Sequence, residues 1–198
     1  MSFRKEKKFR LTLSDQKIMR SSLLTLGMRE LFPSRNINST YFDTDHLDMH
    51  INSEEGILPR KKIRIRWYGT EKSLKKETKV SSIEGRYKLS EPFISKNFLN
   101  DFKSSILDSD YGLLKPSLMI SYSREYFLLD NLRITFDTNI CYRDLRSVLC
   151  RPLPDQECVM EIKASNNVSE DYIETIIKYP ISRFSKYSRG MLKVLSKL

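Results

Sequence analysis

The sequence predicts an α+β fold: an antiparallel β-sheet curled into a barrel-like tunnel, with helices packed on its outside. Three observations predict it. At least seven segments alternate with period two, and three others carry a 3.6-residue period. In most of the alternating segments, charged residues on one face oppose apolar residues on the other. Successive strand residues point to opposite sides, so an aliphatic face needs helices laid over it. A face of mixed charges turned inward needs pairing, water or a ligand. For any one strand, a half-solvated open sheet is the simpler reading; for the set, a closed sheet meets both conditions.

In chain order, residues 3–13 set Glu6, Lys8 and Arg10 against Lys7, Phe9 and Leu11. Ser14 is the expected N-cap of a helix running toward Met28, with Ile18, Leu23 and Leu26 as apolar contacts and Gly27 near its end. Residues 39–44 are β-branched and aromatic and close on a turn-prone Asp. Residues 61–68 alternate strictly, with Lys62, Arg64, Arg66 and Tyr68 against Ile63, Ile65 and Trp67. Residues 75–80 bring Lys75, Glu77 and Lys79 to one side. Residues 96–109 place Phe98, Leu99, Phe102, Ile106 and Leu107 in an amphipathic helical stripe. Residues 118–128 carry Tyr122, Arg124 and Tyr126 together. Residues 131–139 set Arg133, Thr135 and Asp137 against Leu132, Ile134 and Phe136, and residues 158–164 set Val159, Glu161 and Lys163 against Met160, Ile162 and Ala164. Ser169, followed by Glu170 and Asp171, caps a helix bearing Tyr172, Ile173, Ile176 and Ile177, with Pro180 beyond it. A shorter helix is expected over 191–198.

A chain of 198 residues can bury a sufficient core as one domain, and one domain over 1–198 is expected. With 39% hydrophobic and 30% charged residues, a collagen, a membrane protein and a wholly disordered chain are excluded. Thirty-five Lys and Arg against 25 Asp and Glu leave a net charge of +10, which points to a polyanionic partner. Cys141, Cys150 and Cys158 are odd in number and form no C-x-x-C, so they are expected to be buried and reduced. His46 and His50 are four apart, in a helix or a loop, and without H-E-x-x-H no zinc site is expected. No stretch has the roughly 20 apolar residues of a membrane span. No secretory leader is seen, and a cytoplasmic protein is expected.

A water-filled tunnel that binds a polyanion and a divalent cation would satisfy the inward charges. Arg and Lys take phosphate oxygens, and carboxylates take the hard metal. Glu6-x-Lys8, Arg64-Ile65-Arg66-x-Tyr68, Glu77-x-Lys79, Ser123-Arg124-Glu125-Tyr126, Arg133-Ile134-Thr135-x-Asp137, Glu161-Ile162-Lys163 and Phe184-Ser185-Lys186-Tyr187 follow one another in that order. From Arg4 to about Gly190 the chain resembles the catalytic domain of the vacuolar transporter chaperone polyphosphate polymerases, within the triphosphate tunnel metalloenzyme superfamily.

The resemblance implies transfer of the ATP γ-phosphoryl group onto polyphosphate with Mn²⁺ or Mg²⁺. By motif, Lys8, Arg64, Arg66, Lys79, Arg124, Arg133 and Lys186 would be the catalytic cations. Lys163, Arg183 and Ser185 would bind substrate, as would Arg86 or Lys88, with Lys88 preferred. Glu161 would hold the metal, with Glu6 and Glu77 as neighbours. Arg183 stands where the family carries Lys. The partners implied are ATP and polyphosphate, with a separate membrane protein for polyphosphate translocation and peripheral attachment at the inner face of a membrane. The superfamily also holds triphosphatases and adenylyl cyclases, and the family holds non-catalytic paralogues. A triphosphatase and a polyphosphate-binding module are therefore the alternatives. A nucleic-acid partner is not expected, since no ribonucleoprotein consensus is present.

Overall fold

The computed structural model describes residues 4–71, 73–94, 104–148 and 151–197. Among them the order is β1 (Arg4–Thr12), α1 (Leu13–Thr25), β2 (Arg29–Asp43), α2 (Asp48–Glu55), β3 (Arg60–Tyr68), β4 (Leu74–Ser82) and β5 (Gly85–Phe93). There follow β6 (Ile106–Asp108), β7 (Gly112–Leu129), β8 (Leu132–Asp144), β9 (Pro152–Pro154), β10 (Glu157–Ser165), α3 (Glu170–Ile176) and α4 (Lys186–Leu195). The sheet order is β1-β10-β8-β7-β2-β3-β4-β5, with β6 on β7 and β9 on β8. Strands far apart in sequence become neighbours, as when β1 pairs with β10 from Arg4↔Ser165 to Thr12↔Glu157.

The chain divides into two compact units. The first gathers the segment ending at Asn36, Tyr122–Ile140 and Pro154–Phe184. Its core is the apolar face of β1, β8 and β10: Phe9, Leu11, Ile134, Phe136, Met160 and Ile162. Helices α1 and α3 cover that face with Leu23 and Ile173, and Ile177 joins them just past the end of α3. Ser169 caps α3 as expected, its hydroxyl accepting the Tyr172 N–H at 3.1 Å. For α1 the N-cap is Thr12 rather than Ser14, its Oγ1 accepting from the Asp15 N–H at 3.0 Å. Only Leu23 of its three named apolar residues is buried; Ile18 is 66% and Leu26 55% exposed.

The second unit gathers Ile37–Ser121, Cys141–Leu153 and the segment from Ser185 onward. Phe42, Met49, Ile63, Ile65, Trp67, Leu74 and Leu114 form its core, so Trp67 does pack on the apolar side. The helix predicted over 96–109 is not found at its C-terminal end. Ile106–Asp108 is a strand, drawn extended by pairing with Gly112–Leu114, and residues 95–103 lie outside the described residues. The last helix begins at Lys186, five residues earlier than expected, because Ser185 caps it. Cys141 and Cys158 are free thiols, Cys158 being buried, and Cys150 lies outside the described residues. Among the described residues no helix is long and apolar enough to cross a membrane.

Candidate functional site

In the first unit, pairing sets Glu6 opposite Lys163 and Lys8 opposite Glu161. On its other edge, β10 sets Glu161 opposite Thr135 and Lys163 opposite Arg133. Three strands thus bring Glu6, Lys8, Glu161, Lys163, Arg133 and Thr135 to one face, because residues opposite each other in a ladder share a side. Glu161 is 9% exposed, and Lys163 Nζ lies 2.9 Å from its Oε1. Burial alone would raise its pKa, but Lys163, Arg124 and Lys8 outweigh burial and hold the carboxyl at about 2. Lys8 Nζ lies 2.8 Å from Glu6 Oε1 and donates to the Phe184 carbonyl at 3.3 Å. On β7, Arg124 grips fully buried Asp137 through Nε and Nη2, the latter at 2.7 Å. Burial opposes the Arg124 charge, and Asp137 overcomes it and raises the guanidinium pKa well above its usual value.

A second charged face is built in the second unit. Register places Ser39 beside Arg66, Tyr41 beside Arg64, Arg64 beside Glu77, and Lys62, Lys79 and Lys88 in one cross-strand row. Glu77 is 3% exposed; Arg64 Nε donates to its Oε2 at 2.6 Å, and Lys88 closes on Oε1. Burial pushes this carboxyl upward, yet Arg64, Arg66 and Lys88 draw it down to about 2. Arg64 Nη1 also donates to the Tyr41 hydroxyl at 2.7 Å, and Arg66 Nε donates to Ser39 Oγ at 3.1 Å. Burial would raise the Tyr41 pKa; Arg64 and Arg66 reverse the sign and lower it.

Helix α4 joins this second face. Ser185 Oγ accepts Lys62 Nζ at 3.0 Å and the Ser188 N–H at 3.4 Å, and Lys186 is the first helical residue. One residue on, the Tyr187 hydroxyl donates to Asp43 Oδ2, while its ring stacks on Tyr41 at 4.8 Å between centroids. Asp43 also accepts the N–H groups of Thr44, Met49 and His50, at 2.8, 2.9 and 3.0 Å. It therefore ties the start of α2 and the start of α4 to the end of β2.

Residues of the resemblance thus fall into two sets. Lys8, Arg124, Arg133, Glu6, Glu161 and Lys163 lie in the first unit, with Arg183 exposed near its chain end. Arg64, Arg66, Lys79, Glu77, Lys88, Ser185 and Lys186 lie in the second. Asp43, Tyr41, Ser39 and Tyr187 were not among the predicted site residues, and neither were Asp137 and Thr135. Arg124 and Asp137 sit in consecutive antiparallel strands, and a basic and an acidic residue equidistant from the Asp130-Asn131 turn were the available signal. His50 is buried in α2 while His46 is exposed before it, and no group of three His, Cys, Asp or Glu converges among the described residues.

Both faces combine Arg and Lys with a buried, ionised glutamate, Glu161 in the first and Glu77 in the second, an arrangement suited to phosphate chains. Solved structures share this architecture. An adenylate-cyclase candidate from Vibrio parahaemolyticus matches with a TM-score of 0.58, 12% identity and 98% of each chain covered. HpAC1 from Hippeastrum, an adenylyl-cyclase candidate reported to show a dominant triphosphatase activity, matches with a TM-score of 0.59, 14% identity and 95% of each chain covered. An adenylate-cyclase candidate from Bacillus halodurans matches with a TM-score of 0.58 and 14% identity, over 94% of this chain and 97% of that one. The class is that of the triphosphate tunnel fold, α+β with an antiparallel sheet. No curated protein sequence matches the chain. The pattern of the VTC domain matches residues 3–110 and 94–195, and the chain belongs to the VTC domain family.

Proposed function

We propose that this chain is an ATP-dependent polyphosphate polymerase, transferring the γ-phosphoryl group of ATP onto the end of a polyphosphate chain. The observation that carries the reading is a VTC domain match along nearly the whole chain, joined to the Arg/Lys composition of the faces it contains. Phosphoryl transfer asks little covalent help from protein. It asks for in-line placement and for cations on the equatorial oxygens. Arg64, Arg66, Lys79, Lys88 and Lys186 supply such cations in the second unit, and Lys8, Arg124, Arg133 and Lys163 in the first. Arg183 and Ser185 add donors near the start of α4. A terminal phosphate is itself a competent nucleophile, so no activated serine is required.

The donor set fits a divalent ion such as Mn²⁺ or Mg²⁺. Such ions bind through one or two carboxylates and complete their shell with substrate phosphate and water, so no three-carboxylate cluster is needed. Glu161, held ionised, and Glu6 on the adjoining strand would hold it. Glu77 has both oxygens engaged by Arg64 and Lys88 and fits better as the anchor of those cations. When bound, the metal would offset negative charge on the reacting phosphates.

A second reading, hydrolysis of a triphosphate, is favoured by the triphosphatase activity reported for the Hippeastrum protein. The deciding experiment incubates purified protein with ATP and Mn²⁺, with and without pyrophosphate primer. Products are resolved on a gel for phosphate chains alongside a free-phosphate assay. A chain ladder with ADP is the expected result. Free phosphate without chains would establish a triphosphatase, and ligand binding without either product a binding module.

A further inference from the structure

Buried donors and acceptors are almost always partnered, so an orphan on a charged face calls for an explanation, and a bound water, ion or ligand is one. Thr135 is 4% exposed, and its Oγ1 is buried without a hydrogen-bond partner. Two residues before it on β8, Arg133 Nε is buried and unpartnered as well. A strand repeats every two residues, so both atoms belong to the same face, and their cross-strand partners on β10 are Glu161 and Lys163. The other orphaned side-chain atoms lack this setting. Thr40 Oγ1 stands opposite Ile65, whereas Arg20 Nε and His50 Nδ1 belong to helices α1 and α2.

We propose that the Thr135 hydroxyl is a direct donor to an oxygen of a bound phosphoanhydride chain, acting beside the Nε–H of Arg133. Arg133 Nε–H can only donate and the threonine hydroxyl can donate or accept, so a ligand rich in acceptor oxygens, such as a triphosphate, satisfies both. Lys163 and Lys8 on the same face supply the accompanying charge. The assignment rests on the phosphate-binding reading of this face, and it adds Thr135 as a neutral contact that a count of cations does not reveal.

Thr135→Val and Thr135→Ser test it, by calorimetric titration with inorganic tripolyphosphate and by thermal melting. Valine keeps the shape and removes a hydroxyl that has no partner in the protein. The melting temperature should therefore hold or rise, while tripolyphosphate affinity falls about tenfold, the worth of a hydrogen bond to a charged group. Serine, which keeps the hydroxyl, should bind within about twofold of wild type, well inside the valine loss. Unchanged affinity in Thr135→Val would overturn the inference and leave the functional reading standing. So would a drop in melting temperature and affinity shared by both variants, which would mark a structural role. If the wild-type protein itself fails to bind tripolyphosphate, the phosphate reading falls and this contact with it.

Discussion

Glu161 and Arg64 show how single side chains are tuned by what faces them. Glu161 stays ionised although buried, because Lys163, Arg124 and Lys8 outweigh its desolvation. Glu161→Gln therefore keeps every cation of that face and removes one negative charge. Tripolyphosphate binding should remain within a few-fold of wild type while turnover falls at least about a hundredfold, as expected for a lost metal ligand. Titration paired with product formation checks both halves, and unchanged turnover would exclude Glu161 as a metal ligand. Arg64 and Arg66 act in the opposite sense: they are cations whose positions are set by Glu77, Tyr41 and Ser39. Replacing both by Ala should abolish measurable binding of ATP and of polyphosphate. Wild-type affinity in that double variant would mean that this face does not meet the substrate.

At the scale of elements, α4 is the piece whose placement most depends on close fit. A Cβ built on Gly190 would lie 2.5 Å from Tyr142 Cδ1 and 2.7 Å from Leu118 Cδ2, inside any real contact distance. Both neighbours are buried, so Gly190→Ala must push the helix away from β7 and β8. Overpacking of this kind costs about 1–3 kcal/mol. The displacement should also loosen the Ser185–Lys62 bond, so tripolyphosphate affinity should fall together with the urea midpoint. A variant with wild-type stability would show that the helix has room to move. Sequence made some elements plain and hid others for reasons of the same kind. Strands β1, β3, β8 and β10 were legible because both of their faces are in demand, one aliphatic and packed in a core, the other charged. Strand β5 was not, since nearly all of it is exposed and nothing disciplines its alternation. Helix α2 was hidden because Leu47, its N-cap residue, makes no side-chain cap; Thr44 and Asp43 receive the first N–H groups instead. The charged faces could be read from period two alone. Of their anchors, Asp43 with Tyr187 is a long-range pairing that only the folded chain discloses, whereas Asp137 with Arg124 is a hairpin pair whose signal was the shared turn.

Across the whole molecule, the net charge of +10 means that buried carboxylates oppose a general repulsion, so their protonation should be felt in global stability. Glu77 and Glu161 each fall from an ordinary value of 4.5 to about 2 in the folded chain. Their lowered pKa values contribute stability in full above about pH 4.5, where the carboxyls are ionised in both the folded and unfolded states. Between 4.5 and 2 the unfolded chain takes up protons that the folded chain refuses, and stability falls with pH. Below 2 both states are protonated and the contribution is gone. Glu77→Gln provides the control, because glutamine does not titrate and leaves Arg64, Arg66 and Lys88 without their counter-charge. The variant should unfold at a lower urea concentration than wild type at pH 7, and the gap should narrow steadily below pH 4.5 and close near pH 2. Urea midpoints of both proteins at pH 7, 4 and 2.5 measure it. A gap of constant size across that range would show that the three cations do not hold Glu77 ionised, and that the second face is organised by packing rather than by charge.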